Sequence, residues 1–184
     1  MVVIPSSEEQ RETKFNSFPF PLKLFVISMA LSSSISGIYD IFTKYGQLPS
    51  FLFLFSLLAI LKITTILHEN IHKKTYNLCT GNSGKIYYSW TKHSYFMPDK
   101  DCPASLYKID LLSPLALTFL HGVLACLLIY LFPSVFVRDL MLCSLALNFL
   151  GSMSDLYAFY KLKGFDNSWM VTYNIEHIII YKKA

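Results

Sequence analysis

At 184 residues the chain is long enough for one domain, and with 53% hydrophobic, 16% aromatic and only 15% charged residues it is poorer in charge than a soluble domain usually is. Its formal net charge of +4 is accounted for by topology and by contact with anionic lipid, so no nucleic-acid partner is expected. Four cysteines without any CxxC spacing argue against a cysteine zinc site.

In chain order, residues 1–21 read as a cytosolic N-terminal tail of mixed charge, including Glu8, Glu9, Arg11, Glu12 and Lys14, and residues 22–184 as a single membrane domain. Spans are expected at about 22–42, 49–72, 110–132 and 139–160, each near the roughly 20 residues a helix needs to cross a bilayer. No small-residue cleavage site follows the first stretch, which therefore reads as a span and not as a signal peptide. The third is the clearest, since between Asp110 and Arg138 it carries no formal charge and a single histidine, His121. Asp40, Lys62 and Asp155 interrupt the other three, which makes a soluble helical bundle the alternative to weigh. Soluble helices show a polar face at every turn, and residues 111–132 show none.

Counting Lys23 at the very start of the first span, thirteen Lys and Arg fall on the side of the N-terminal tail, the loop between spans two and three, and the C-terminal tail, against Lys44 and Arg138 on the other side. This bias places both termini and the middle loop in the cytosol. Cys126 and Cys143 then lie within spans as small apolar residues, while Cys79 and Cys102 sit in a reducing compartment. The expected fold is an all-α integral membrane protein of about four transmembrane helices with a small cytosolic, aromatic, β-like loop.

That loop, "TGNSGKIYYSWTKHSYFMP", opens on a Gly/Asn turn signal, ends on a proline and reads as one or two strands. It is either an amphipathic hairpin with its aromatics at headgroup level or an edge that could hold an extended peptide by strand addition. The C-terminal "MVTYNIEHIIIYKK" has a similar composition and could pair with it.

Chemistry enters at the end of span two, in "HENIH". His68, Glu69 and His72 form HExxH, a pattern that five His and five Glu in this chain would produce by chance with a probability of roughly 0.4%. On a helix the two histidines lie one above the other and can hold one metal ion, with Glu69 beside its open position. Zinc lowers the pKa of a water to about 7, and an adjacent glutamate can take the proton and pass it to a leaving amine. The metzincin extension is missing, since Thr75 and Leu78 stand at its glycine and third histidine.

Among the downstream acids Asp155 is the costly one, because an ionised aspartate within a span costs about 2.5 to 3.5 kcal/mol on insertion scales and demands a partner. A cation held with His68 and His72 is one such partner, and an ion pair with Lys62 is the alternative. Counted from Pro49 and Asp139, His68 and Asp155 lie about 29 and 24 Å along their helices, so their depths agree. Gly151 and Ser152, a turn earlier, are small enough to let two helices approach. His121 and Asn148 read as hydrogen-bonded core residues, and His93 and His177 as surface-strand residues.

Together "HENIH", the aromatic loop, "LLSPLAL" and "GSMSDLYAFYKL" resemble a family of small bacterial membrane proteins classed as putative zincin peptidases, over about residues 60–184. More loosely the chain is similar to site-2 proteases, whose HExxH helix and distant membrane aspartate bind zinc near the cytosolic face. The resemblance implies a zinc ion on His68, His72 and Asp155, Glu69 as catalytic base and acid, and a bacterial cell membrane. The reading is therefore a zinc metalloprotease cutting membrane-anchored proteins or peptides near the cytosolic face. The alternative is a non-catalytic membrane protein whose metal is structural or regulatory, and a metal transporter would need polar ligands along more spans than offer them.

Overall fold

A computed structural model describes residues 13–16, 19–88, 94–173 and 177–182; the acidic residues Glu8, Glu9 and Glu12, with His93 and Glu176, lie outside them. Proline and glycine punctuate the helical part. Helix α1 (Phe20–Tyr45) starts behind Pro19 with a second proline in its first turn, where a missing N–H costs nothing. It ends at Gly46, whose φ of 84° suits glycine, and α2 (Gln47–Thr80) begins at the next residue, so the two form a tight hairpin. Nothing breaks α2 until Gly81 (φ 68°), whose N–H donates to the Asn77 carbonyl. The helix therefore runs two turns past the expected end at residue 72.

The third and fourth expected spans are each interrupted. Helix α3 (Ala104–Leu112) gives way at Ser113 and Pro114 to α4 (Leu115–Leu131), because proline offers no N–H to the preceding turn. Helix α5 (Val135–Gly151), capped by the Ser134 hydroxyl accepting from the Val137 N–H, stops at Ser152 and is followed by α6 (Met153–Leu162). Four helical segments, residues 20–45, 47–80, 104–131 and 135–162, are long and apolar enough to cross a membrane. Large apolar side chains such as Phe25, Leu58, Leu124 and Tyr130 face outward from them, a surface that fits an integral membrane protein.

Helix α1 packs on α2 and α5, and α4 on α5, around a core of Ile41, Phe53, Leu57, Ala125, Leu140, Met141 and Cys143. The close approach is at Gly37, where an added Cβ would come within 2.9 Å of both Phe53 Cζ and Cys143 Sγ. At Gly151, expected to let helices approach, a Cβ would meet nothing within 4 Å. Helix α3 packs on α2 and α6 beside a second cluster that contains Tyr76, Phe96, Tyr107, Leu162 and Ile180.

The strands make up more than a loop. β2 (Gly84–Tyr87) and β3 (Tyr95–Pro98) form the expected hairpin, with Ile86 opposite Phe96. The C-terminal strands β5 (Trp169–Tyr173) and β6 (His177–Lys182) do not pair with it. They join β1 (Thr13–Asn16) and β4 (Cys102–Pro103) in a separate antiparallel sheet of order β1-β6-β5-β4, so the N-terminal tail contributes a strand. Pairings this distant in sequence follow from burial of Val171, Ile178 and Ile180, which pattern alone does not connect.

Overpacking the three-helix contact at Gly37 is expected to cost about 1–3 kcal/mol. Gly37→Val should lower the thermal midpoint in detergent, whereas Gly122→Ala, whose Cβ would meet only Leu145 methyls at 3.9 and 4.0 Å, should leave it unchanged or raise it.

Candidate metal centre

Residues four apart on a helix share a face, and α2 carries His68 and His72 with ring centroids 5.0 Å apart in an edge-to-face arrangement. Opposite them, the break at Ser152 lets α6 restart with Asp155 in its first turn, where the free N–H groups of a helix start also favour a carboxylate. Asp155 Oδ2 lies 3.0 Å from His68 Nε2 and 3.5 Å from His72 Nε2. One ligand atom from each of the three residues falls within 4.8 Å of the others.

This donor set fits a metal ion. Asp155 Oδ2 is buried without a hydrogen bond of good geometry, although two imidazole nitrogens lie 3.0 and 3.5 Å from it. Buried polar atoms in folded proteins are nearly always satisfied, and a divalent cation between two imidazoles and a carboxylate would satisfy all three. Two histidines and one carboxylate also leave a fourth tetrahedral position open, as a catalytic zinc site requires.

Behind the histidines stands Asp110, in the last turn of α3. It is 3% exposed, and its Oδ2 lies 3.3 Å from His72 Nδ1, on the side of the ring away from Asp155. His72 Nδ1 makes no hydrogen bond of good geometry, but a carboxylate at that distance favours the proton on Nδ1, which would leave Nε2 as the lone-pair nitrogen on the side of Asp155. Sequence reasoning treated Asp110 as the polar boundary of a span. The signal was present, since an aspartate followed by an unbroken apolar run needs a partner as much as Asp155 does.

Glu69 is buried at 5% exposure beside His68, and the backbone N–H of Phe96 in β3 is directed at its carboxylate. The hairpin is thereby brought against the HExxH helix. Tyr173 in β5 stands in the field of Glu69 and Asp155; burial first, and those two carboxylates next, push its phenol up to about 12, so it stays a neutral O–H donor. Burial raises the Cys102 thiol to about 12 as well, which removes it as a thiolate ligand at neutral pH. All four cysteines are free.

The other singled-out residues lie elsewhere. His121 Nε2 is 3.1 Å from Ser144 Oγ, and Asn148 Nδ2 donates to Thr118 Oγ1 at 3.3 Å, so both tie α4 to α5, as expected of core polar residues. His177 sits at the end of β6, opposite Asn16. Loss of a carboxylate that orients a metal-bound histidine typically costs 10–100-fold in metal affinity. Asp110→Ala should weaken zinc binding to the purified chain by about that factor in a chelator competition titration, and Asp110→Asn, which keeps an acceptor oxygen, by less.

No curated protein and no solved structure matches the chain. A family model described as putative zincin peptidase matches residues 61–169, more than half of the chain and a range that holds His68, Glu69, His72, Asp110 and Asp155. The chain belongs to the putative zincin peptidase family.

Proposed function

We propose that this chain is a membrane-embedded zinc metalloprotease that hydrolyses peptide bonds of membrane-anchored proteins or peptides near the cytosolic face. The observation that carries the reading is the meeting of His68 and His72 from α2 with Asp155 from α6, with a buried carboxylate, Glu69, one residue from the first histidine. His68 Nε2, His72 Nε2 and a carboxylate oxygen of Asp155 are the ligands in this reading. Bound there, zinc supplies a Lewis acid that polarises a carbonyl and acidifies a water at neutral pH.

Glu69 would serve as the proton carrier, its carboxylate accepting a proton from the attacking water and passing it to the nitrogen of the leaving amine. Asp110 holds the His72 ring in position throughout. A structural zinc site has no use for an unligated carboxylate at its edge, which favours the enzyme over a chain whose metal is only structural or regulatory.

Membrane insertion is supported by the four apolar helices, and the orientation by thirteen Lys and Arg against two at the span ends, which would put both termini and the β2–β3 hairpin in the cytosol. At 1.5 Å per residue His68 is about 32 Å from the start of α2, so a bilayer core of about 30 Å would leave the site at its cytosolic margin. Delivery of an extended substrate is supported by β3, which has β2 on one side and, among the described residues, no strand on the other. An unwound segment added along that edge would pass the Phe96 N–H and Glu69.

Mass-spectrometric mapping of protein N-termini in membranes from cells expressing the wild type or Glu69→Gln tests the reading. New N-termini in membrane proteins should occur with the wild type and fall by at least about 100-fold with Glu69→Gln, the scale of a lost general base. Identical sets of termini would contradict it.

A further inference from the structure

Next to the metal centre, between α2 and α5, lies a cavity of about 60 Å³. Leu61, Thr65, His68 and Glu69 line it from one helix, and Leu147 and Gly151 from the other. We infer that this cavity receives one substrate side chain flanking the scissile bond, and that it accepts a short aliphatic side chain of valine to leucine size. The inference rests on the metalloprotease reading above.

Position comes first. Glu69 and His68 form part of the wall, so a group seated in the cavity touches both the proposed base and a proposed ligand. Size comes next. One water takes about 10–15 Å³ of such volume, so the cavity holds roughly four to six non-hydrogen atoms. The side chains of valine and leucine, with three and four carbons, fit within it, and the seven carbons of phenylalanine exceed it.

The chemistry of the wall selects against negative charge. Thr64 and Thr65, which both border the cavity, donate their hydroxyls to the Leu61 carbonyl at 3.0 and 2.8 Å. The Asn148 amide is turned to Thr118. With the threonine hydroxyls engaged, Leu61 and Leu147 alongside and the Glu69 carboxylate in the wall, an aspartate would lose its hydration there and meet a like charge. Gly151 completes the argument. It is exposed and its missing side chain serves no close helix contact, since a Cβ would meet nothing within 4 Å, and the absence of a side chain leaves the mouth of the cavity open.

The test uses the zinc-loaded full chain in detergent and the hydroxamates of glycine, valine, leucine, phenylalanine and aspartic acid, chelators that bind zinc whether or not a peptide is cut. Valine and leucine hydroxamates should bind roughly tenfold or more tightly than glycine hydroxamate, the scale of burying three or four carbons, with the phenylalanine and aspartic acid compounds no tighter than glycine. Gly151→Leu and, separately, Thr65→Leu should abolish the aliphatic advantage at unchanged zinc stoichiometry. A flat series, or an aliphatic preference that survives both substitutions, overturns the inference. Zinc uptake with no hydroxamate binding overturns it while leaving the metal site intact, and a chain that takes up no zinc removes the metalloprotease reading and this inference with it.

Discussion

Two buried carboxylates set the terms for this structure. Asp155 and Asp110 stand within helical segments that are otherwise apolar, where an unpartnered negative charge costs several kcal/mol. Both are answered by α2: His68 and His72 face Asp155, and the far side of the His72 ring faces Asp110. The polar contacts thus join α2, α3 and α6 at one level, and the apolar clusters lie to either side of it along the chain. Ile41, Phe53 and Leu57 pack on one side, and Tyr76, Leu162 and Ile180 on the other. A cation in the centre would turn four individually expensive side chains into one satisfied group.

Helix ends and breaks put these residues in register. Helix α2 carries HExxH at the expected end of its span and continues beyond it to Gly81, which stops it before the hairpin whose Phe96 backbone lies near Glu69. The interruption at Ser113 and Pro114 separates α3, which holds Asp110, from the apolar helix α4. The one at Ser152, itself 1% exposed, gives Asp155 a helix start of its own. The candidate site is thereby assembled from one face of α2, the last turn of α3 and the first turn of α6.

Much of this was legible in the sequence because it is local. HExxH is a spacing on one helix, and an aspartate inside an apolar run is conspicuous wherever it occurs. The apolar stretches announced the four helices, and the Gly/Asn turn signal announced the β2–β3 hairpin. What sequence could not supply was non-local. Asp110 looked like a span boundary because its partner, His72, is 38 residues away in the chain. The pairing of β6 with β1 and β5 joins the two chain ends, and no period in either segment encodes it. Gly151 was read by residue type as a packing glycine, whereas the close contact belongs to Gly37, whose neighbours Phe53 and Cys143 come from two other helices.

The central claim is that His68, His72 and Asp155 hold one zinc ion, and elemental analysis of detergent-purified protein tests it most directly. Wild type and Glu69→Gln should each carry about one zinc per chain, because the glutamate is not a ligand, and Asp155→Ala should carry little or none. Zinc absent from all three after reconstitution, or retained in full by Asp155→Ala, would contradict the account.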